Sequence, residues 1–172
     1  MRKSIIYSLL SILVVVILDQ LTKGALLYFI TGGIPFYGPA WTVVPNPGMF
    51  PPITSFFNLV FTWNPGTSFS LFRALGESAP IVIVVLTGII IGFLCQYLFS
   101  RAHNSERLPL ALIIGGAFGN LIDRVRFGAV IDFLDFHWKA WHWPAFNVAD
   151  ICICIGVCLL ILNLILKKGK GK

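Results

Sequence analysis

From Ser78 to Ser100 the sequence runs without a single charged residue. This stretch constrains the fold more than any other, because about 20 consecutive apolar residues make a helix long enough to cross a bilayer. Three further stretches lack charge: Ser4–Leu18, Leu108–Ile122 and Ile151–Leu166. Each is too short to span alone and reaches membrane length only by taking in polar flanks. Lys3–Lys23 then contains Asp19, Asn104–Asp123 ends in an acid, and Asn147–Lys167 begins with the Asn147/Asp150 pair. Composition agrees. Charged residues make up 12% of the chain, against about 25% in a typical soluble domain, and mean hydropathy is +0.86. The pattern predicts one integral membrane domain over 1–172. Its α-helical core has four transmembrane helices at about 4–23, 78–100, 104–123 and 147–166, with outer loops at about 24–77 and 124–146.

Arg2 and Lys3 followed by an apolar run could open a cleaved signal peptide. No small-x-small site follows, and Asp19-Gln20-Leu21-Thr22-Lys23 suits cleavage poorly, so the segment reads as a retained helix. Basic residues set the orientation. Arg2 and Lys3 precede the first span, Arg101 and Arg107 lie between the second and third, and Lys167, Lys168, Lys170 and Lys172 follow the fourth. These eight of the thirteen basic residues share one side if both termini are cytoplasmic. The net charge of +6 then reflects topology and contact with anionic membrane lipids, not nucleic acid.

Cys95, Cys152, Cys154 and Cys158 all fall in predicted spans. On a helix Cys152 and Cys154 point about 200° apart, which does not suit a shared metal, and small apolar filler is the better reading. His137 and His142 are likewise badly spaced for two ligands on one helical face. No metal and no cofactor is expected.

The acids then become the feature to explain, since ionisable groups at membrane depth are costly and usually paired or functional. With this topology Asp19, Glu77, Asp123, Asp132, Asp135 and Asp150 gather at the outer ends of helices or in outer loops. Structural roles exist for several. Asp19 and Lys23 are spaced to pair along a helix. Asp123 precedes Arg124 and Arg126. Asp135 and Glu77 read as solvated loop residues. Asn147 followed by Asp150 fits a helix start, with an N-cap and an acid in the first turn.

The outer loops carry their own signals. An apolar β-type run in "SFFNLVFTWN" leads to Asn64-Pro65-Gly66, suited to a type II turn, and an alternating run returns; this predicts a small hairpin. Thr31–Pro52 reads as irregular loop. "FLDFHWKAWHWPAF" (133–146) is rich in rings, including Trp138, Trp141 and Trp143, which favour the membrane interface. A short helix or strand in the headgroup plane is expected there. In the third span, Gly115-x-x-x-Gly119 permits close helix packing.

"DQLTK" (19–23), "FFNLVFTWNPGTSFS" (56–70), "GGAFGNLIDR" (115–124) and "VIDF…PAFNVAD" (130–150) together resemble the ordered boxes of bacterial lipoprotein signal peptidases, the signal peptidase II family. The resemblance covers nearly the whole chain. It implies an intramembrane aspartic endopeptidase of the bacterial inner membrane, with its site at the periplasmic face. Such an enzyme removes signal peptides from diacylglyceryl-modified prolipoproteins, just before the lipid-bearing cysteine. It also implies an extracytoplasmic β-sheet cradle and a short interfacial helix. The catalytic aspartates of the family match Asp132 and Asp150. Asn64, Asn120, Arg124 and Asn147 match polar positions lining its site, and Asp19 and Asp123 match supporting acids. Two features depart from the pattern: Pro65, Thr67 and Ser68 replace the usual residues after Asn64, and the Thr31–Pro52 segment is long.

The implied chemistry is activation of water by two carboxylates that share one proton. No covalent step is expected, because no serine or cysteine has a histidine base in view. A monomer is the expected state. The competing reading is a small transporter or proton-coupled carrier, which would place binding groups near the midplane, often on internal repeats. A structural membrane subunit would have little reason to gather polar boxes on one side.

Overall fold

The computed structural model describes residues 2–32, 50, 53–66 and 78–169. Four helices dominate: α1 (Arg2–Ile30), α2 (Ala79–Ser100), α3 (Asn104–Phe127) and α4 (Val148–Gly169). All four are long and apolar enough to cross a membrane. Helix α1 has 29 residues, a length of about 43 Å at 1.5 Å per residue, so it exceeds the hydrocarbon thickness and runs past the expected end at Lys23. Large apolar side chains such as Leu13, Leu21, Ile81, Phe93 and Leu164 stand exposed on the helix surfaces, as lipid-facing positions must.

The chain forms two compact units. One comprises Met1–Asp19, Leu86–Gly119 and Val148–Lys172; the other comprises Gln20–Val85 and Asn120–Asn147. In the first unit, glycines decide how closely helices approach. A Cβ on Gly115 would meet Val15 Cβ at 2.8 Å, and one on Gly119 would collide with the Asp19 carboxylate. Both belong to the small-x-x-x-small stripe, which faces α1. Gly116, one residue on, turns towards α4, where a Cβ would strike the Ala149 carbonyl oxygen. Gly156 of α4 returns the arrangement against Pro109 O at 2.6 Å. Without a hydrophobic effect between helices in lipid, such backbone proximity is what dispersion forces need.

Pro109 lies inside α3 and has no N–H for the carbonyl four residues back, Ser105. The Asn163 side-chain amide of α4 donates to that carbonyl at 2.8 Å. A polar residue in the last span thus repairs a defect in the third.

The second unit holds a three-stranded antiparallel sheet in the order β1-β2-β3, built from β1 (Phe57–Asn64), β2 (Val130–Trp138) and β3 (Trp141–His142). Strand β1 pairs with β2, placing Thr62 opposite Asp132 and Asn64 opposite Val130, with an irregularity between Leu59 and Thr62. The alternating run expected to close a hairpin with β1 begins at Thr67 and lies outside the described residues, as do Glu77 and most of Thr31–Pro52. The ring-rich segment takes the strand form. Its turn has Lys139 at φ 55°, and Trp138, Trp141 and Trp143 are exposed. Among the described residues no separate short helix accompanies it.

Asp135 corrects an expectation. It is buried rather than solvated, because it lies within β2, and His142 Nδ1 approaches both of its carboxylate oxygens at 2.9 Å. The His142 ring also stacks on His137, whose Nε2 is 3.0 Å from the Asn58 amide. The cysteines divide similarly: Cys154 and Cys158 are exposed on α4 rather than packed as filler.

The glycine geometry yields a paired prediction. Among the described residues, nothing lies within 4 Å of a Cβ added at Gly88 or Gly92. Gly88→Ala should therefore leave thermal stability unchanged or raise it by up to about 1 kcal/mol through helix propensity. Gly116→Ala must displace a backbone carbonyl and should lose about 1–3 kcal/mol. Melting curves of the two variants in one detergent test this, and equal midpoints would refute the packing argument.

Candidate active site

The described part of the second unit contains a chain of buried polar groups that begins on α1. Lys23 is 1% exposed. Its ammonium is 3.0 Å from Asp123 Oδ2 and donates to Asn120 Oδ1 at 2.9 Å. The sequence suggested the adjacent Arg124 and Arg126 as cations for Asp123; the partner at 3.0 Å is Lys23, from another helix. Asp123 takes two more donors, the Gln20 amide at 2.9 Å and the Ile131 backbone N–H at 3.3 Å. An anion so deeply buried needs this many donors, because each unsatisfied lone pair carries a desolvation cost. The bond to Ile131 also fixes the start of β2, and so sets the position of the next residue, Asp132.

Asp132 is buried, and both carboxylate oxygens accept from side-chain amides. Asn147 Nδ2 donates to Oδ1 at 2.7 Å, and Asn64 Nδ2 donates to Oδ2 at 2.9 Å. Each donor is positioned by local structure. Asn64 ends β1, where its Oδ1 accepts the Gly66 N–H at 2.8 Å; this turn fixes the amide and leaves Nδ2 facing β2. Gly66 has φ +75°, as the second central residue of a type II turn requires, and its α-carbon lies where a Cβ would meet Ile83 at 2.9 Å. The Arg124 guanidinium lies beside this glycine and reaches back to the Asn120 carbonyl at 3.5 Å.

Asn147 arrives by a different route. Phe146 exchanges backbone hydrogen bonds with Leu134, and its carbonyl also accepts from the Phe133 N–H. The returning chain is therefore zipped against β2 immediately before Asn147. The fully buried Asn147 amide lies within reach of Asp132, Asn120 Oδ1 at 3.2 Å and Ile131 O at 3.3 Å. Its neighbours explain why a residue that reads as a simple N-cap has its amide aimed at a carboxylate.

In the first unit, Asp19 Oδ1 accepts the Ala149 backbone N–H at 3.0 Å. The first turn of α4 is thus capped by a carboxylate from α1, and Gly119 supplies the space for it. Asp150 follows in that first turn, half-buried, where the helix dipole favours an anion. Sequence reasoning paired Lys23 with Asp19 along one helix and did not place it in this network. The available signal was a lysine at the end of an apolar span.

Four membrane-length helices, with a buried network of carboxylates, amides and a lysine near their ends, define a polytopic membrane protein with a carboxylate-centred polar site. The sequence relationships narrow this class. The family described as signal peptidase (SPase) II matches residues 11–166. A lipoprotein signal peptidase of Paraburkholderia phytofirmans is 42% identical over 154 residues, covering 88% of this chain and 80% of the relative. One from Anaplasma phagocytophilum is 38% identical over 172 residues, covering 99% and 98%. A solved structure described as a bacterial membrane enzyme superposes with a TM-score of 0.72 at 28% identity, over 96% of this chain and 92% of that one. A second, described in the same way, gives 0.68 at 30% identity. The chain belongs to the signal peptidase II family and is a membrane protease, not a carrier.

The ion pair can be tested directly. Asp123→Asn leaves the Lys23 ammonium buried beside a neutral amide and should lose about 3–5 kcal/mol. Lys23→Met combined with Asp123→Asn removes both charges and should recover a large part of that loss. A double-mutant cycle in detergent reads the coupling; additive single effects would show that the two residues do not act as a pair.

Proposed function

We propose that the protein removes signal peptides from diacylglyceryl-modified prolipoproteins, with Asp132 and Asp150 as an acid–base pair that activates water. The observation that carries the dyad is the Asn147 amide, 2.7 Å from Asp132 and only three residues before Asp150 in the chain. One α-helical first turn separates Asn147 from Asp150, so the residue that holds the first carboxylate also determines where the second begins. The names of the relatives support the substrate class, since they are lipoprotein signal peptidases.

The ionised carboxylate takes a proton from water as it attacks the scissile carbonyl. The protonated carboxyl donates a hydrogen bond to the carbonyl oxygen and then passes its proton to the leaving amine. Asn64 and Asn147 hold Asp132 in one rotamer; a carboxylate that already accepts from two amides has little freedom to turn away from the substrate. Asn120 supports Asn147, Arg124 flanks the Asn64 turn, and Asp123 and Asp19 anchor the β2 and α4 ends from which the dyad projects. Pro65 stiffens the turn beside Asn64, while Thr67 and Ser68 lie outside the described residues.

The proposed orientation has both termini in the cytoplasm and the dyad at the periplasmic face of the inner membrane, because the basic residues then lie inside. A lipid-modified cysteine would sit there with its acyl chains in the outer leaflet, and the apolar signal segment would enter sideways between helices. The enzyme acts as a monomer in contact with membrane lipid.

Asp132→Asn and Asp150→Asn should each lower cleavage of a lipidated prolipoprotein by roughly 100-fold or more, the usual weight of a general acid or base. The assay follows the loss of the signal peptide by gel shift in reconstituted membranes. Near-normal turnover in either variant would dismiss the dyad. Asn64→Ala should reduce kcat more than it raises KM, because the amide orients a catalytic group rather than the substrate.

A further inference from the structure

At the other end of the first unit, Arg107 is 7% exposed, and its Nε and Nη1 are shut off from solvent with no hydrogen-bond partner among the described residues. A buried guanidinium without a counter-charge is costly. Arg107 borders a cavity of about 410 Å³ with Lys3, Ser4, Ser8, Ser11 and Asn104. Among the described residues, two cations line this cavity and no carboxylate does. The nearest acid in sequence, Glu106, is engaged elsewhere: Lys167 Nζ is 2.8 Å from Oε1, while the Tyr97 hydroxyl and the His103 N–H donate to Oε2 at 3.0 and 3.1 Å.

The cavity is shaped by small residues on one face of α1. Ser4, Ser8 and Ser11 follow helical spacing, and the hydroxyls of Ser8 and Ser11 turn back to the carbonyls of Ser4 and Tyr7. They therefore leave room rather than fill it. The first turn of α3 adds its positive dipole end, and Asn104 accepts from Ser4 at 3.3 Å there. Tyr7 and Leu108, both exposed on the helix surface, complete the lining and add apolar surface to it. A phosphate with an apolar tail matches this combination of cations, hydroxyls and apolar surface.

We infer that this cavity binds a phosphate group, supplied by an anionic phospholipid headgroup, with Arg107 and Lys3 as its counter-charges. The leaflet rests on the orientation proposed above, which puts the cavity on the cytoplasmic side, where anionic lipids attract basic segments. Binding itself depends neither on that orientation nor on proteolysis.

The test is native mass spectrometry of the delipidated full chain in detergent, titrated with phosphatidylglycerol, with dioleoylglycerol as the phosphate-free analogue, and with inorganic phosphate. One phosphatidylglycerol should be retained per chain, and dioleoylglycerol should bind at least tenfold more weakly. Arg107→Gln should weaken phosphatidylglycerol by roughly tenfold or more, the usual scale for a charge-assisted hydrogen bond. Arg107→Lys should keep part of the affinity, and Ser8→Leu should lower it by filling the cavity while leaving Arg107 in place. If inorganic phosphate binds at the same site and displaces the lipid, the phosphate site stands and free phosphate is its source. Equal retention of dioleoylglycerol and phosphatidylglycerol by the wild-type chain would overturn the inference without any variant. So would wild-type affinity in both Arg107→Gln and Ser8→Leu. Because no cleavage is measured, failure here leaves the peptidase reading untouched, and failure of the dyad test leaves this one untouched.

Discussion

A lysine and an aspartate buried 3.0 Å apart, each about 1% exposed, set the conditions for the polar half of this protein. Neither charge can be left alone at that depth, so each recruits further donors and acceptors. Asp123 draws in the Ile131 N–H and thereby fixes the strand that carries Asp132. Lys23 draws in Asn120, which accepts from Asn147, which in turn donates to Asp132. The ion pair stabilises the unit only as part of this network; as an isolated contact, desolvation would cancel most of its attraction. Its value is geometric, because the bonds it anchors hold the Asp132 carboxylate on rigid elements.

The apolar half obeys a different rule. Lipid gives helices no reason to associate through hydrophobicity, so they approach where side chains are absent. Gly115, Gly116, Gly119 and Gly156 each open a contact that a methyl group would close. At Gly119 the space is filled by a polar group, the Asp19 carboxylate. Pro109 shows the converse: it removes a backbone donor, and Asn163 repairs the loss from a neighbouring helix.

The four helices could be read from the sequence because charge is excluded over whole spans, which is a property of composition and survives any uncertainty about contacts. Acid and amide positions were visible for the same reason, as interruptions of apolar runs. Their partners were not. Asp19 and Lys23 sit one turn apart and read as a local pair, yet the contacts that define them lie about a hundred residues away in Ala149, Asn120 and Asp123. Asp135 looked solvated because an aspartate among aromatics suggests a loop; burial within β2 and the approach of His142 depend on strand pairing that no local pattern encodes. The partner of β1 was hidden similarly, since its pairing with β2 joins segments separated by a whole helical hairpin.

The bond from Ala149 to Asp19 spans 130 residues of sequence, from the first helix to the last. A chain emerges from the ribosome amino-terminus first, so Asp19 reaches the bilayer long before the backbone N–H it caps. Asn147, which donates to Asp132, is made in the same final stretch. The consequence is an order of assembly. While only three spans have been inserted, the chain holds one aspartate of the proposed pair without its amide donor and lacks the other altogether. With the proposed pair as the catalytic groups, proteolytic competence arrives only with α4, and a translation product interrupted before it has no means of cutting the membrane proteins around it.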